Sequence, residues 1–232
     1  MILKIKNIYL GLFLVVLISG TVLGSEVEIQ TGDWDYKLLM NSVKIGTASF
    51  KNRFEKKKYI SSSEIKMKVS GVINFSKQVI TETKDFRPLK IEIQNKIITD
   101  KKIQDNKTTV VVKKNKLEVS SGDLKSTVKP NRPFIFDGHF IMANLLKNNF
   151  KKDLEIKKYI YDPSIDLKKP FLVIVKVIGT EKVLINNEEL ELVHLKQSIE
   201  NIKTIDFYVN FKGIMQKAVI EMANNKIELL KD

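Results

Sequence analysis

Two histidines, no cysteine and a scatter of acids are the material this chain offers for chemistry. His139 and His194 are too few for a three-histidine metal centre. Neither has a second metal-type ligand at helical i+4 or strand i+2 spacing beyond scattered acids. His139 stands at the start of an expected helix and is expected to face solvent; His194 lies in a strand between Val193 and Leu195. Glu188, Glu189 and Glu191 cluster after Asn186-Asn187. Paired carboxylates can run acid–base or glycosidic chemistry, yet this placement reads as a solvated hairpin tip. Asp33 and Asp35 flank Trp34 as a sugar platform would require, but a tryptophan at the head of a first strand reads as a core anchor. Ser61-Ser62-Ser63 has no nucleophile elbow around it, and neither a phosphate-cradling loop nor a dinucleotide turn occurs. No catalytic residue, metal site or cofactor is expected.

The strongest candidate site is apolar. Phe140, Leu145, Leu146 and Phe150 on a helix would face Trp34, Tyr36, Phe171, Val173, Phe207 and Phe211 on strands. Two readings stand: plain core packing, or a hollow that holds a ligand, since a wide curved sheet is hard to fill with one helix.

The elements that must position these residues follow from periodicity. Phe134–Lys152 is the one strongly helical passage: Asp137 can cap it, and Phe140, Ala143, Leu145 or Leu146, and Phe150 recur at three- to four-residue spacing. Elsewhere the chain alternates. Trp34, Tyr36, Leu38 and Met40 form one face of an opening strand, and Val43–Phe54 returns as a hairpin, with Gly46 at a bulge or close backbone approach. Leu89, Ile91, Ile93 and Ile97 alternate with Lys90, Glu92, Gln94 and Lys96, and Val110–Val112 reads as a short strand after them. Phe171–Ile178 is apolar on both faces, which predicts a central strand covered by the helix, with Gly179-Thr180 as the turn that follows. A meander of strands from Glu191 to Leu230 completes the chain. About a dozen strands with a single helix predict an all-β fold: an antiparallel curved sheet forming a barrel or half-barrel, closed by a central amphipathic helix.

Length and composition agree with one β-rich domain over residues 25–232, the polar loop 120–133 marking a candidate sub-boundary. Residues 1–24 read as a signal peptide: Lys4 and Lys6, an apolar run Ile8–Ile18, then small residues ending at Gly24. No later segment approaches a membrane span, and the expected location is a Gram-negative-type periplasm. The absence of cysteine excludes disulfides, thiolate ligands and a lipidated N-terminal cysteine. Lysine and arginine total 40 against 27 acids, a net charge of +13. Only Arg53, Arg87 and Arg132 are arginines, so planar bidentate readout of phosphate or bases is disfavoured and nucleic acid is not an expected partner. Weak attraction to anionic head groups or envelope polymers is the functional alternative to solvated lysine faces.

The order of features resembles an exported bacterial family, domain of unknown function 3108, and more loosely the half-barrel lipoprotein carriers of the Lol type. The matching pieces are the strand with Tyr36 followed by Lys44-Ile45-Gly46, and the Asp137-headed helix. Val173–Thr180 running into Glu181-Lys182-Val183, and Tyr208–Gly213 before Met215–Val219, complete them. The family pattern has proline after the helix-leading aspartate and an acid where Asn210 stands; this chain has neither. The resemblance implies an envelope protein without established chemistry. The expected function is a non-enzymatic periplasmic protein that binds a lipid, lipoprotein or outer-membrane component in an apolar hollow. The alternative is a structural interaction module with a filled core.

Overall fold

A computed structural model describes residues 20–23, 26–114, 116–200, 203–222 and 225–232. The expected signal segment therefore lies outside the described residues except for 20–23. There β1 (Gly20–Leu23) pairs with β2 (Glu26–Ile29) in a two-stranded ribbon.

Among the described residues, fourteen further strands form one antiparallel sheet. The N-terminal half runs β3 (Gly32–Met40), β4 (Val43–Glu55), β5 (Lys58–Val69), β6 (Val72–Thr83), β7 (Pro88–Ile98), β8 (Ile103–Lys113), β9 (Lys116–Ser121) and β10 (Leu124–Val128), each beside the next. After helix α1 (Phe140–Lys147), β11 (Glu155–Ile160), β12 (Phe171–Ile185), β13 (Glu188–Ile199), β14 (Lys203–Val209), β15 (Met215–Met222) and β16 (Asn225–Lys231) do the same. The two meanders join where β16 pairs with β3, setting Ile227 opposite Met40 and Lys231 opposite Tyr36. The outer edges are β10 and β11, which do not pair with each other, so the sheet is curved but unclosed. That is the half-barrel its alternation predicted.

The chain crosses from one edge to the other between Val128 and Glu155, and this crossing packs against the sheet. Ile141, Met142, Leu145 and Leu146 of α1 are buried in one cluster with Tyr36, Leu38, Phe50, Val175 and Phe207. Phe136 and Tyr161 are buried with Ile80, Ile91, Val110 and Leu117 under the other half. Burial of each such side chain contributes about 1.5–3 kcal/mol. Ile135 bridges to Ile160 in parallel, its N–H donating to the Tyr159 carbonyl at 2.9 Å and its carbonyl accepting from Tyr161 N–H at 3.0 Å. The crossing thereby covers part of the open edge of β11.

Gly46 behaves as its sequence position suggested. It lies opposite Leu38 at a register shift between Leu38 and Leu39, and a Cβ there would overlap the Lys66 carbonyl. Several expectations are corrected. The helix spans Phe140–Lys147, with His139 rather than Asp137 at its N-cap and no side-chain cap bond. Its C-terminus closes as a Schellman turn: Phe150 N–H donates to the Leu145 carbonyl, Asn149 N–H donates to that of Leu146, and Asn149 takes φ 50°. Strand β12 is next to an edge rather than central, and its outer-face residues Leu172 and Ile174 are only half-buried. It also continues through Gly179, where a register shift absorbs the expected turn. Part of the loop 120–133 is strand, and β10 pairs with β9 in the same sheet.

Two-residue hairpins with positive φ at both positions normally carry Asn-Gly or similar pairs. Asn186-Asn187 obey this, at φ 49° and 68°. Lys56-Lys57 occupy the same conformation at φ 49° and 60°, where a long side chain costs about 1–2 kcal/mol per residue.

Candidate functional site

The start of α1 is built on buried polar groups. Glu82, the penultimate residue of β6, is 0% exposed, and His139 is 1% exposed. One Glu82 oxygen, Oε2, accepts the His139 backbone N–H at 2.9 Å and lies 2.9 Å from His139 Nδ1. Gly138 permits this approach, since a Cβ there would overlap the Glu82 carboxylate. The His139 ring lies against Tyr59 at 5.0 Å between centroids and Phe86 at 6.3 Å. Glu82 Oε1 and His139 Nε2 are buried without a protein hydrogen-bond partner.

Two further carboxyls flank the pair. Burial pushes Asp137 well above the usual carboxylate range, the charges of Asp162 and Glu82 push the same way, and Lys203 opposes them. Burial also pushes Asp162 up to about 6, against the hydrogen bonds it accepts from Ser164 and Gln78. Those bonds run from Ser164 N–H at 2.8 Å, Ser164 Oγ at 2.7 Å and Gln78 Nε2 at 3.0 Å. Burial lowers Lys203 to about 8, partly offset by Asp137. The cluster thus draws on β6, the crossing, the segment after β11, and β14. It fastens the two halves of the sheet through one polar knot.

This knot is what sequence reading missed. His139 is buried rather than facing solvent, and its partner stands 57 residues earlier. No local spacing announces such a pair. A glutamate and a histidine in contact could act as a base–acid couple, but both groups are shut away from solvent beside the Gly138 backbone and the Tyr59 and Phe86 rings. Among the described residues no group of three or more His, Cys, Asp or Glu is arranged to hold a metal ion. His194 lies between Glu181 Oε1 at 2.6 Å and Asp206 Oδ1 at 2.8 Å and stacks on Tyr208, a surface network across β12, β13 and β14. Glu188, Glu189 and Glu191 are exposed around the β12–β13 tip, with Glu189 paired to Lys182.

The apolar candidates divide. Tyr36, Leu145, Leu146, Phe150, Phe171, Val173 and Phe207 are buried in one cluster, with Trp34 and Phe140 packed at its margin. Tyr36 also donates its hydroxyl to the Met215 carbonyl at 2.9 Å, and burial holds that hydroxyl well above its ordinary range. Phe140 carries Lys158 over its ring at 4.8 Å. Phe211 does not join them; it is 58% exposed at the β14–β15 tip. A depression of about 360 Å³ lies at the other end of β12–β14, lined chiefly by Leu172, Ile174, Ile199, Lys203 and Thr204.

No family model matches the chain, and no curated protein matches it. The resemblance to domain of unknown function 3108 is accordingly unsupported. The fold is similar to the crystal structure of a β-barrel-like protein of domain of unknown function DUF1849 from Brucella abortus, at TM-score 0.63 and 12% identity. The match covers 86% of this chain and 95% of that one. At that identity the likeness establishes a β-barrel-like fold.

Proposed function

We propose that this is an exported, non-enzymatic protein of the bacterial periplasm that works as an interaction module of the cell envelope, presenting its surface to other envelope components. The observation that supports this reading is the burial of α1 and of Phe136 and Tyr161 against the sheet. Apart from Phe211, the side chains offered by sequence as a ligand hollow lie in or against one buried cluster, and Phe136 and Tyr161 are buried in a second. Export is supported by the basic, apolar and small-residue order of residues 1–24. A non-enzymatic role is supported by the burial of Glu82 and His139, the strongest acid–base pair. No helix among the described residues is long and apolar enough to cross a membrane.

A second reading, carriage of a lipid or lipoprotein acyl group, draws on the depression beside Leu172 and Ile174. Native mass spectrometry after gentle purification, with Trp34 fluorescence during addition of extracted lipids, separates the two. The interaction module retains no lipid, and single lipids added below vesicle-forming concentration leave the fluorescence unchanged. A stoichiometric retained lipid would establish the carrier instead. Fractionation with N-terminal sequencing tests export: mature protein in the periplasm beginning at Ser25 is the expected result.

A further inference from the structure

Antiparallel pairing places three neighbouring hairpin tips at one end of the N-terminal half: β4–β5, β6–β7 and β8–β9. The first reads Glu55-Lys56-Lys57-Lys58 and the second Lys84-Asp85-Phe86-Arg87, while the third carries Lys113, Lys114 and Lys116. Together these are eight basic residues against two acidic. The tips at the opposite end of the same strands carry Asn41-Ser42, Ser70-Gly71, Asp100-Lys101-Lys102 and Gly122-Asp123, two basic against two acidic. The lysine excess is therefore polarised along the strands here. Of the eight, only Lys113 forms a salt bridge among the described residues, to Glu118 at 2.9 Å.

Two other observations point the same way. Lys56 and Lys57 hold left-handed backbone at φ 49° and 60°, where Asn or Gly is favoured, so cations stand at this tip against local preference. Beside them Phe54 is 48% exposed. Its ring rests on Tyr59 at 4.7 Å, which in turn stacks on Phe86 at 5.3 Å, so the exposed aromatic is braced from behind.

We propose that this end of the sheet docks on an anionic lipid bilayer, its lysines at the head-group phosphates and Phe54 in the interfacial layer. Lysine ammonium groups are point charges suited to the diffuse field of a charged leaflet. An exposed aromatic among them gains from an apolar boundary that a soluble polyanion does not offer. The proposal rests on the interaction-module reading, since the surface and not the interior meets the lipid.

The test is co-sedimentation of the mature protein with phosphatidylcholine vesicles made with and without phosphatidylglycerol. Binding is expected only with the anionic lipid, and it weakens as salt is raised. Lys56→Asn with Lys57→Gly restores favoured turn residues, so it keeps the fold while cutting affinity about 25-fold, at about fivefold per lysine. Lys101→Gln with Lys102→Gln removes equal charge from the opposite end and leaves affinity unchanged. Phe54→Ser weakens vesicle binding and leaves binding to soluble polyphosphate as it was. The proposal is overturned if anionic vesicles bind no better than neutral ones, or if the Lys101/Lys102 pair loses as much as the Lys56/Lys57 pair. It is equally overturned if Phe54→Ser has no effect and polyphosphate binds as tightly as vesicles. Failure here with no lipid retained in the purified protein leaves the interaction module standing; a retained lipid removes the module itself.

Discussion

Gly138 decides whether the crossing can reach β6. Its missing side chain leaves room for the Glu82 carboxylate, whose position is fixed by the two contacts with His139. Gly138→Ala is expected to displace that buried carboxylate and destabilise the protein by about 3 kcal/mol, measured by denaturant unfolding. Little of this is legible in the sequence. His139 and Glu82 are each ordinary in their local surroundings, and only the curvature of the sheet brings them together. The buried members of the apolar cluster are legible, because alternation along a strand states which side chains share a face. Phe211 shows the limit of that rule, since a residue just beyond a strand end keeps the phase but loses the cover.

Helix α1 and strand β12 show how far elements can be read. Apolar spacing locates the helix but misplaces its start, because Asp137 looks like a cap and instead serves the polar knot. Leu145→Ala removes a side chain buried in the larger cluster and is expected to cost about 3 kcal/mol. Phe211→Ser, at an exposed tip, is expected to change stability by less than about 0.5 kcal/mol. Thermal melts of the two variants side by side check the division between core and surface. Strand β8 is longer than its apolar run Val110–Val112 announces. Its first half, Ile103–Lys107, is exposed throughout, and a strand wet on both faces carries no alternation. Strand β12 reads as central because its outer face is apolar; that face is instead half-covered near the sheet edge.

For the molecule as a whole, the knot predicts a pH dependence. A buried carboxyl whose folded value is raised contributes stability that is complete below its ordinary value of 3.8 and is lost as pH rises through about 6. Asp137 shifts in the same direction. Lys203 adds little slope, because the penalty on its charged form is already in place below about 8. The protein is thus expected to be more stable at about pH 5 than at about pH 7.5, Asp162 alone supplying about 1.4 kcal/mol. Asp162→Asn is expected to flatten part of that slope in melts across this range. A melting temperature that falls on acidification through the same window contradicts the burial of these groups. Both halves of the sheet share the knot, so the loss should appear as one transition.

The pairing of β16 with β3 also governs how the chain finds its fold. Every other neighbour in the sheet is also the next strand in the chain, the longest connection being residues 161–170 between β11 and β12, while Met40 and Ile227 must meet across nearly the whole sequence. A circular permutant that joins Asp232 to Glu26 through a flexible linker, so that β2 is kept, and opens the chain near Asn131 turns this one distant pairing into a local one. Every strand then follows its neighbour in order, and stopped-flow refolding should be faster than for the parent. An unchanged refolding rate would mean that closure of the sheet's centre does not limit folding.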